Sequence, residues 1–196
     1  MMPHNHKHPA IFNLGFRVFF AGASIFSFIS IACWLIIYAS MNGALSADTL
    51  FAFSDFKILS PFQWHAHEMI YGYSIAVIGG FLLTAVKNWT GIQTAHGYPL
   101  AILFCLWALA RFFWLAGEQW LWLAALFDMV FICSLIVAVA SPIFATKQWR
   151  QMAIISKLFL LAFGNLAFYL DAFSYIDNGI HIGLYGGLYL IIGLIL

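Results

Sequence analysis

Long apolar runs separated by short polar breaks dominate this chain. Six runs occur, and each lies near the length of about 20 residues that a helix needs to cross the hydrocarbon core of a bilayer. Glycine and proline spacing shows no alternation typical of a membrane β-barrel. The pattern predicts an all-α, polytopic bundle of six transmembrane helices, at about 16–41, 69–86, 99–115, 121–144, 158–173 and 180–196.

Composition places this bundle in a lipid bilayer. The chain is 64% hydrophobic and 8% charged, whereas a soluble domain carries about 25% charged residues. The net charge is +1 without a basic patch, which argues against a nucleic-acid partner. The three cysteines lie inside apolar runs and form no C-x-x-C pair, so we expect no disulfide. We expect residues 1–196 to form a single domain.

Basic and acidic residues are distributed unevenly between the two sets of alternate loops that connect the apolar runs. One set of connections is purely basic, with Lys7, Arg17, Lys87, Lys147, Arg150 and Lys157. The opposite set mixes basic and acidic residues, Lys57, Arg111, Asp48, Asp55, Glu68, Glu118, Asp171 and Asp177. Because cytoplasmic loops carry an excess of Lys and Arg, this asymmetry predicts a cytoplasmic amino terminus.

The connection at 42–67 is the longest in the chain. It contains Phe51, Phe53 and Phe56, which predict an amphipathic or interfacial segment. Ser46 or Asp48 is a candidate cap for a short helix there.

The end of this connection concentrates ionisable groups in the stretch W-H-A-H-E at 64–68. On a helix that begins near His65, His65 and His67 lie roughly 200° apart, so both can bind one metal ion only from an extended segment. His65 shares its helical face with Glu68 and with a row of small residues, Gly72, Ala76 and Gly80. Because small rows let membrane helices approach closely, we expect His65 and Glu68 to face the bundle interior.

Two interpretations of this stretch remain open on residue chemistry alone. Histidine is the commonest metal ligand, and a carboxylate can fix its tautomer, which predicts His65 and His67 as metal ligands with Glu68 in the same cofactor site. In the alternative, Trp64 and Tyr71 belong to an aromatic belt, and His65 reaches the headgroup region.

Other histidines offer weaker candidates. His181 opens the sixth run on the same side as His65 and is a candidate second axial ligand if the metal bound by His65 is a haem iron. His96 falls on the opposite side and is interpreted as a solvated loop residue. The tail residues His4, His6 and His8 are interpreted as solvated.

Polar residues inside the apolar runs suggest a second kind of site. A charge at membrane depth costs about 2.5–3.5 kcal/mol on insertion scales, so Asp128 should face the interior with Arg111 as its partner. Arg111 itself lies near a helix end, where snorkelling would explain it. Asp128, Asn165 and Asp171 therefore predict either a structural ion pair or a polar pathway.

Three sequence blocks resemble the NnrS family. They are F-R-V-F-F at 16–20, W-H-A-H-E-M at 64–69 and G-F-L-L-T-A-V-K-N-W-T-G at 80–91. The resemblance implies a bacterial inner-membrane protein linked to nitric oxide metabolism and nitrosative stress, with haem and copper as cofactors. It carries over only to the matched positions, His65, His67, Glu68, Asn88, Trp89 and Thr90. The family usually has about twelve spans, so we expect this chain to be part of a longer protein.

Three functions follow as hypotheses. The first is a haem- and copper-binding membrane protein that acts on or binds nitric oxide, whether or not it is an enzyme. The second is a cofactor-free transporter half that uses Asp128, Asn165 and Asp171 as a polar pathway. The third is a non-catalytic membrane subunit whose small-residue faces bind a partner.

Overall fold

The computed structural model describes residues 9–44 and 57–195. The interfacial segment expected around Phe51 and the histidine tail lie outside these residues. The described chain is helical, and its seven α-helices run in the order α1 (Gly15–Met41), α2 (Pro61–His67), α3 (Ile75–Thr90), α4 (Tyr98–Leu115), α5 (Leu121–Ala145), α6 (Met152–Ala172) and α7 (Gly179–Ile195). A π-helical segment, Glu68–Ser74, joins α2 to α3.

Within residues 9–44 and 57–195, six apolar helical units confirm the predicted all-α bundle. Five are long and apolar enough to cross a membrane, and Gly179–Ile195 is a shorter apolar helix. The predicted start of the second span at 69 is wrong, because the helix begins at Pro61. Ser60 and Gln63 form a reciprocal capping box there, and proline is well suited to a first helical position because its missing N–H needs no partner.

Small residues set the close contacts between helices at one end of the bundle. A Cβ atom added to Gly80 would lie 2.8 Å from the Cβ of Phe19, and one added to Gly15 would lie 2.6 Å from the Cβ of Leu83. Helices α1 and α3 can therefore pack with their backbones close together. The surrounding core is aliphatic and aromatic, with Leu100, Leu135 and other buried side chains.

The opposite end of the bundle is polar. The amino-terminal parts of α2 and α5 meet the carboxy-terminal parts of α4 and α6 there. Five of the buried polar side chains in the described residues lie at this end, His67, Glu68, Arg111, Asp128 and Asn165. We call this the polar end, and the end that holds Gly15 and Leu83 the apolar end.

Candidate functional site

The π-helical segment decides which histidine faces the interior. In a π-helix the hydrogen bonds run from residue i to i+5, so an additional residue shifts the register of everything before it. His67 and Glu68 are 0% and 1% exposed, whereas His65 is only half-buried. The expectation that His65 shares the interior face with Glu68 is therefore wrong. The row Gly72, Ala76 and Gly80 is buried, as predicted.

His67 is held by hydrogen bonds at both ring nitrogens. Its Nδ1 lies 3.0 Å from Oε1 of Glu68, and its Nε2 forms a 2.9 Å hydrogen bond with the side-chain amide of Asn165. Its ring is enclosed by four aromatic neighbours, Tyr71, Trp114, Phe168 and Tyr169. His67 could bind a metal only by giving up one of these hydrogen bonds.

Arg111 bridges the two buried carboxylates of the polar end. Its Nε lies 3.3 Å from Oε2 of Glu68, and its Nη2 donates to Oδ1 of Asp128. The pairing expected for Asp128 is confirmed, but the interpretation of Arg111 as a snorkelling residue is wrong, since it is 3% exposed. Gly72 makes room for this side chain, because a Cβ atom there would lie 2.5 Å from Nη1 of Arg111.

Two residues that sequence reasoning missed complete the cluster. Tyr169 donates from its hydroxyl to Oδ2 of Asp128 over 2.6 Å, and the indole N–H of Trp114 donates to the Tyr169 hydroxyl over 2.8 Å. Both occur in apolar runs and carry no sequence signal that separates them from ordinary core aromatics. The result is a continuous hydrogen-bonded chain from Trp114 through Tyr169 to Asp128. The other carboxylate oxygen of Asp128 pairs with Arg111, which also pairs with Glu68, and Glu68 contacts His67. We call these six residues, together with Asn165, the polar cluster.

His65 has a different environment. Its ring stacks on Trp34 of α1 with 4.6 Å between centroids and an interplanar angle of 17°, and Phe62 packs edge-on against the same indole at 5.1 Å. Its Nδ1 is buried and has no hydrogen-bond partner among the described residues. His65 and His67 are thus separated by a single residue in the sequence but lie in different surroundings: both ring nitrogens of His67 are hydrogen-bonded, whereas Nδ1 of His65 has no partner among the described residues.

The remaining candidates lie outside the polar cluster. Asp171 accepts a 2.8 Å hydrogen bond from the backbone N–H of Ile180 and so ties α6 to α7. His181 is exposed and stacks on Tyr185, and His96 is exposed. The matched residues Asn88, Trp89 and Thr90 lie near the end of α3, at the apolar end, away from His65.

The donor atoms test which cofactors these residues suit. Within 9–44 and 57–195, no group of three or more His, Cys, Asp or Glu side chains is placed to hold a metal ion. No residue set for copper is therefore assigned. His65 fits a single-histidine attachment to haem, because its Nδ1 is not committed to a hydrogen bond and aromatic rings lie beside it.

Comparison with known proteins gives one match. A family model described as NnrS protein matches residues 10–196. No curated protein and no solved structure matches the chain.

Proposed function

The chain belongs to the NnrS family, and from this membership we propose that it is a haem-binding protein of the bacterial inner membrane that serves nitric oxide metabolism or resistance to nitrosative stress. The amino terminus is assigned to the cytoplasm by the charge asymmetry of the connections. The polar end then faces the periplasm.

The observation that carries this proposal is the His65 imidazole, whose Nδ1 has no hydrogen-bond partner among the described residues and whose ring stacks on Trp34. His65 would hold the iron, and Trp34, which stacks on the His65 ring and contacts Phe62, would supply apolar aromatic surroundings for the haem. Haem, when bound, supplies an iron that takes nitric oxide as a ligand, with an affinity and reactivity set by the surrounding polarity.

We propose a structural role for His67, which was expected as a metal ligand, with Glu68 as its hydrogen-bond partner. The His67 ring is locked by Glu68 and Asn165, so its contribution is to hold α2 against α6. Glu68 is shared between His67 and Arg111. Together they fix the helix that presents His65. Copper remains part of the proposal through family membership alone.

A polar pathway for transport is the second candidate. It is favoured by the hydrogen-bonded chain that joins Asp128, Tyr169 and Trp114 inside the bundle. Asp171 does not belong to this chain, since it is committed to the backbone of Ile180. Proton-linked transport lost in Asp128→Asn but kept in His65→Gln would favour this candidate.

An absorption spectrum tests the first candidate. The full-length protein is purified in detergent and measured oxidised, reduced, and reduced with nitric oxide, with iron and copper determined on the same sample. We expect near-stoichiometric iron and a Soret band that shifts on addition of nitric oxide. A folded, colourless and metal-free protein would refute the haem proposal.

A further inference from the structure

Glu118, in the connection between α4 and α5, accepts hydrogen bonds from three consecutive backbone amides. Its Oε2 accepts from the N–H groups of Lys57 and Ile58, at 2.8 and 2.9 Å. Its Oε1 accepts from Ile58 and Leu59, at 3.1 and 2.9 Å. A carboxylate has two oxygens and four lone-pair positions, so it can satisfy this set where no neutral side chain can.

The segment 57–60, which we call the strap, is fixed along its whole length. Leu59 is 2% exposed and packs into the cluster that contains Trp64 and Trp114. The N–H of Ser60 donates to Oε1 of Gln63 over 2.7 Å, and the Ser60 hydroxyl accepts from the N–H of Gln63. Every backbone N–H of the strap therefore has a side-chain acceptor, and two of these acceptors are charged oxygens of Glu118.

The strap leads directly into α2, which carries His65. Phe62, in the first turn of α2, packs edge-on against the Trp34 ring, and His65 stacks on the same ring. Pro61 fixes the backbone between the strap and this turn. A shift of the strap would therefore move the first turn of α2 relative to α1.

We propose that Glu118 is a positioning residue for His65, acting through the backbone of the strap. The proposal rests on the proposed function only for its haem readout, because the stacking of His65 on Trp34 is a property of the cofactor-free protein. The hydrogen bonds of the Glu118 carboxylate run to the three amides of the strap, and its effect on His65 passes through them. Outer partners that orient a ligand typically change metal affinity by about 10- to 100-fold.

The first readout needs no cofactor. NMR spectra of the full-length, haem-free protein with selectively labelled histidine report the ring current of Trp34 on His65, which His65→Gln assigns. In Glu118→Ala we expect the His65 resonance to lose its ring-current shift and the amides of Lys57, Ile58 and Leu59 to exchange faster. Gln119→Ala is the matched control, because the adjacent Gln119 is exposed and its side-chain amide donates to the carbonyl of Ala116, away from the strap.

A second control separates positioning from general loss of stability. Ile143→Ala removes a buried side chain far from the strap, near the end of α5 at the apolar end. It should lower stability and leave the His65 resonance in place. An unchanged His65 resonance in Glu118→Ala, with faster exchange of the three amides, would overturn the proposal.

The haem readout follows with the same variants. Protohaem titration should show an affinity about ten-fold lower in Glu118→Ala, partly restored in Glu118→Gln, which keeps one acceptor oxygen. If the wild-type protein binds no protohaem while the His65 resonance still moves in Glu118→Ala, the proposed function fails and the positioning role stands. If protohaem binds equally to wild type and Glu118→Ala, the positioning role fails.

Discussion

The polar end and the apolar end of the bundle are built from the same helices by opposite means. At the apolar end, Gly15 and Gly80 let α1 and α3 approach, and the contacts are aliphatic and aromatic. At the polar end, Arg111 joins two carboxylates that belong to different helices. Because lipid tails are as apolar as the side chains of the apolar end, close packing of complementary shapes stabilises that end. Hydrogen bonds and ion pairs stabilise the polar end.

The difference teaches where single changes should be costly. Removing a methyl group at the apolar end leaves a space that neighbours can partly fill. Removing one member of the polar cluster leaves a buried charge or donor without a partner, in a region that water does not reach. The following variants test this contrast, from the largest expected effect to the smallest.

Arg111→Ala should have the largest effect. It leaves the carboxylates of Glu68 and Asp128 buried without their cation. Loss of one partner of a buried ion pair costs about 3–5 kcal/mol in the free energy of unfolding. Unfolding in mixed detergent micelles measures it, with the exposed Arg150→Ala as a control that should change stability by less than about 0.5 kcal/mol. Equal stability of the two variants would contradict the role assigned to Arg111.

His67→Ala should have the second largest effect. Its loss in the free energy of unfolding should be larger than that of His65→Ala. His67→Ala removes the His67 partner of Oε1 of Glu68 and of Oδ1 of Asn165, two buried oxygen atoms that are then unsatisfied. Each such group costs about 1–3 kcal/mol, so we expect a total of roughly 2–4 kcal/mol. His65→Ala loses a ring stack and no described hydrogen bond. The same unfolding assay ranks the pair, and a larger loss in His65→Ala would reverse the assignment.

Much of the architecture was predictable because the length and apolar composition of membrane helices can be read directly from the sequence. The first span was expected at 16–41 and is observed at Gly15–Met41. The cost of a buried charge also predicted that Asp128 pairs with Arg111. Ser60, Pro61 and Gln63 form a capping signal that is visible in the sequence and would have placed the start of α2 correctly.

The orientation of the histidines was not predictable in the same way. Helical periodicity assumes 3.6 residues per turn, and the π-helical segment departs from it directly after His67. This segment is contacted by distant helices, for example by the Trp107 indole N–H, which donates to the Gly72 carbonyl over 2.8 Å. Asn165 and Tyr169 join the cluster through tertiary packing, which no local pattern encodes.

Gly72→Ala should show a moderate effect. The added Cβ would lie 2.5 Å from Nη1 of Arg111 and 2.9 Å from a ring carbon of Phe26. Overpacking of this kind costs about 1–3 kcal/mol, and here it also displaces the bridging guanidinium. Gly79→Ala is the matched control on the next turns of the same span, since its nearest neighbour is the flexible side chain of Leu135 at 3.1 Å. Thermal unfolding that ranks Gly79→Ala as the worse variant would contradict this account.

Tyr71→Phe should have the smallest effect of the set. It removes the hydroxyl that donates to the Gly183 carbonyl over 2.7 Å and leaves the ring in place. Hydrogen bonds between membrane helices average about 0.6 kcal/mol, so we expect a loss of that order. Thr94→Val provides the counterpart near the apolar end, where the Thr94 hydroxyl donates to the Leu83 carbonyl. A loss in Tyr71→Phe as large as that of Arg111→Ala would mean that charge does not dominate the polar end.

The most direct test compares the haem content of His65→Gln with that of His67→Gln. Both full-length variants are purified, the folded fraction is collected, and the iron-to-protein ratio and the reduced spectrum with and without nitric oxide are recorded beside wild type. The open His65 and the engaged His67 predict that His65→Gln loses most of its haem, while folded His67→Gln keeps it. Haem retained in His65→Gln and lost in His67→Gln would contradict the central claim.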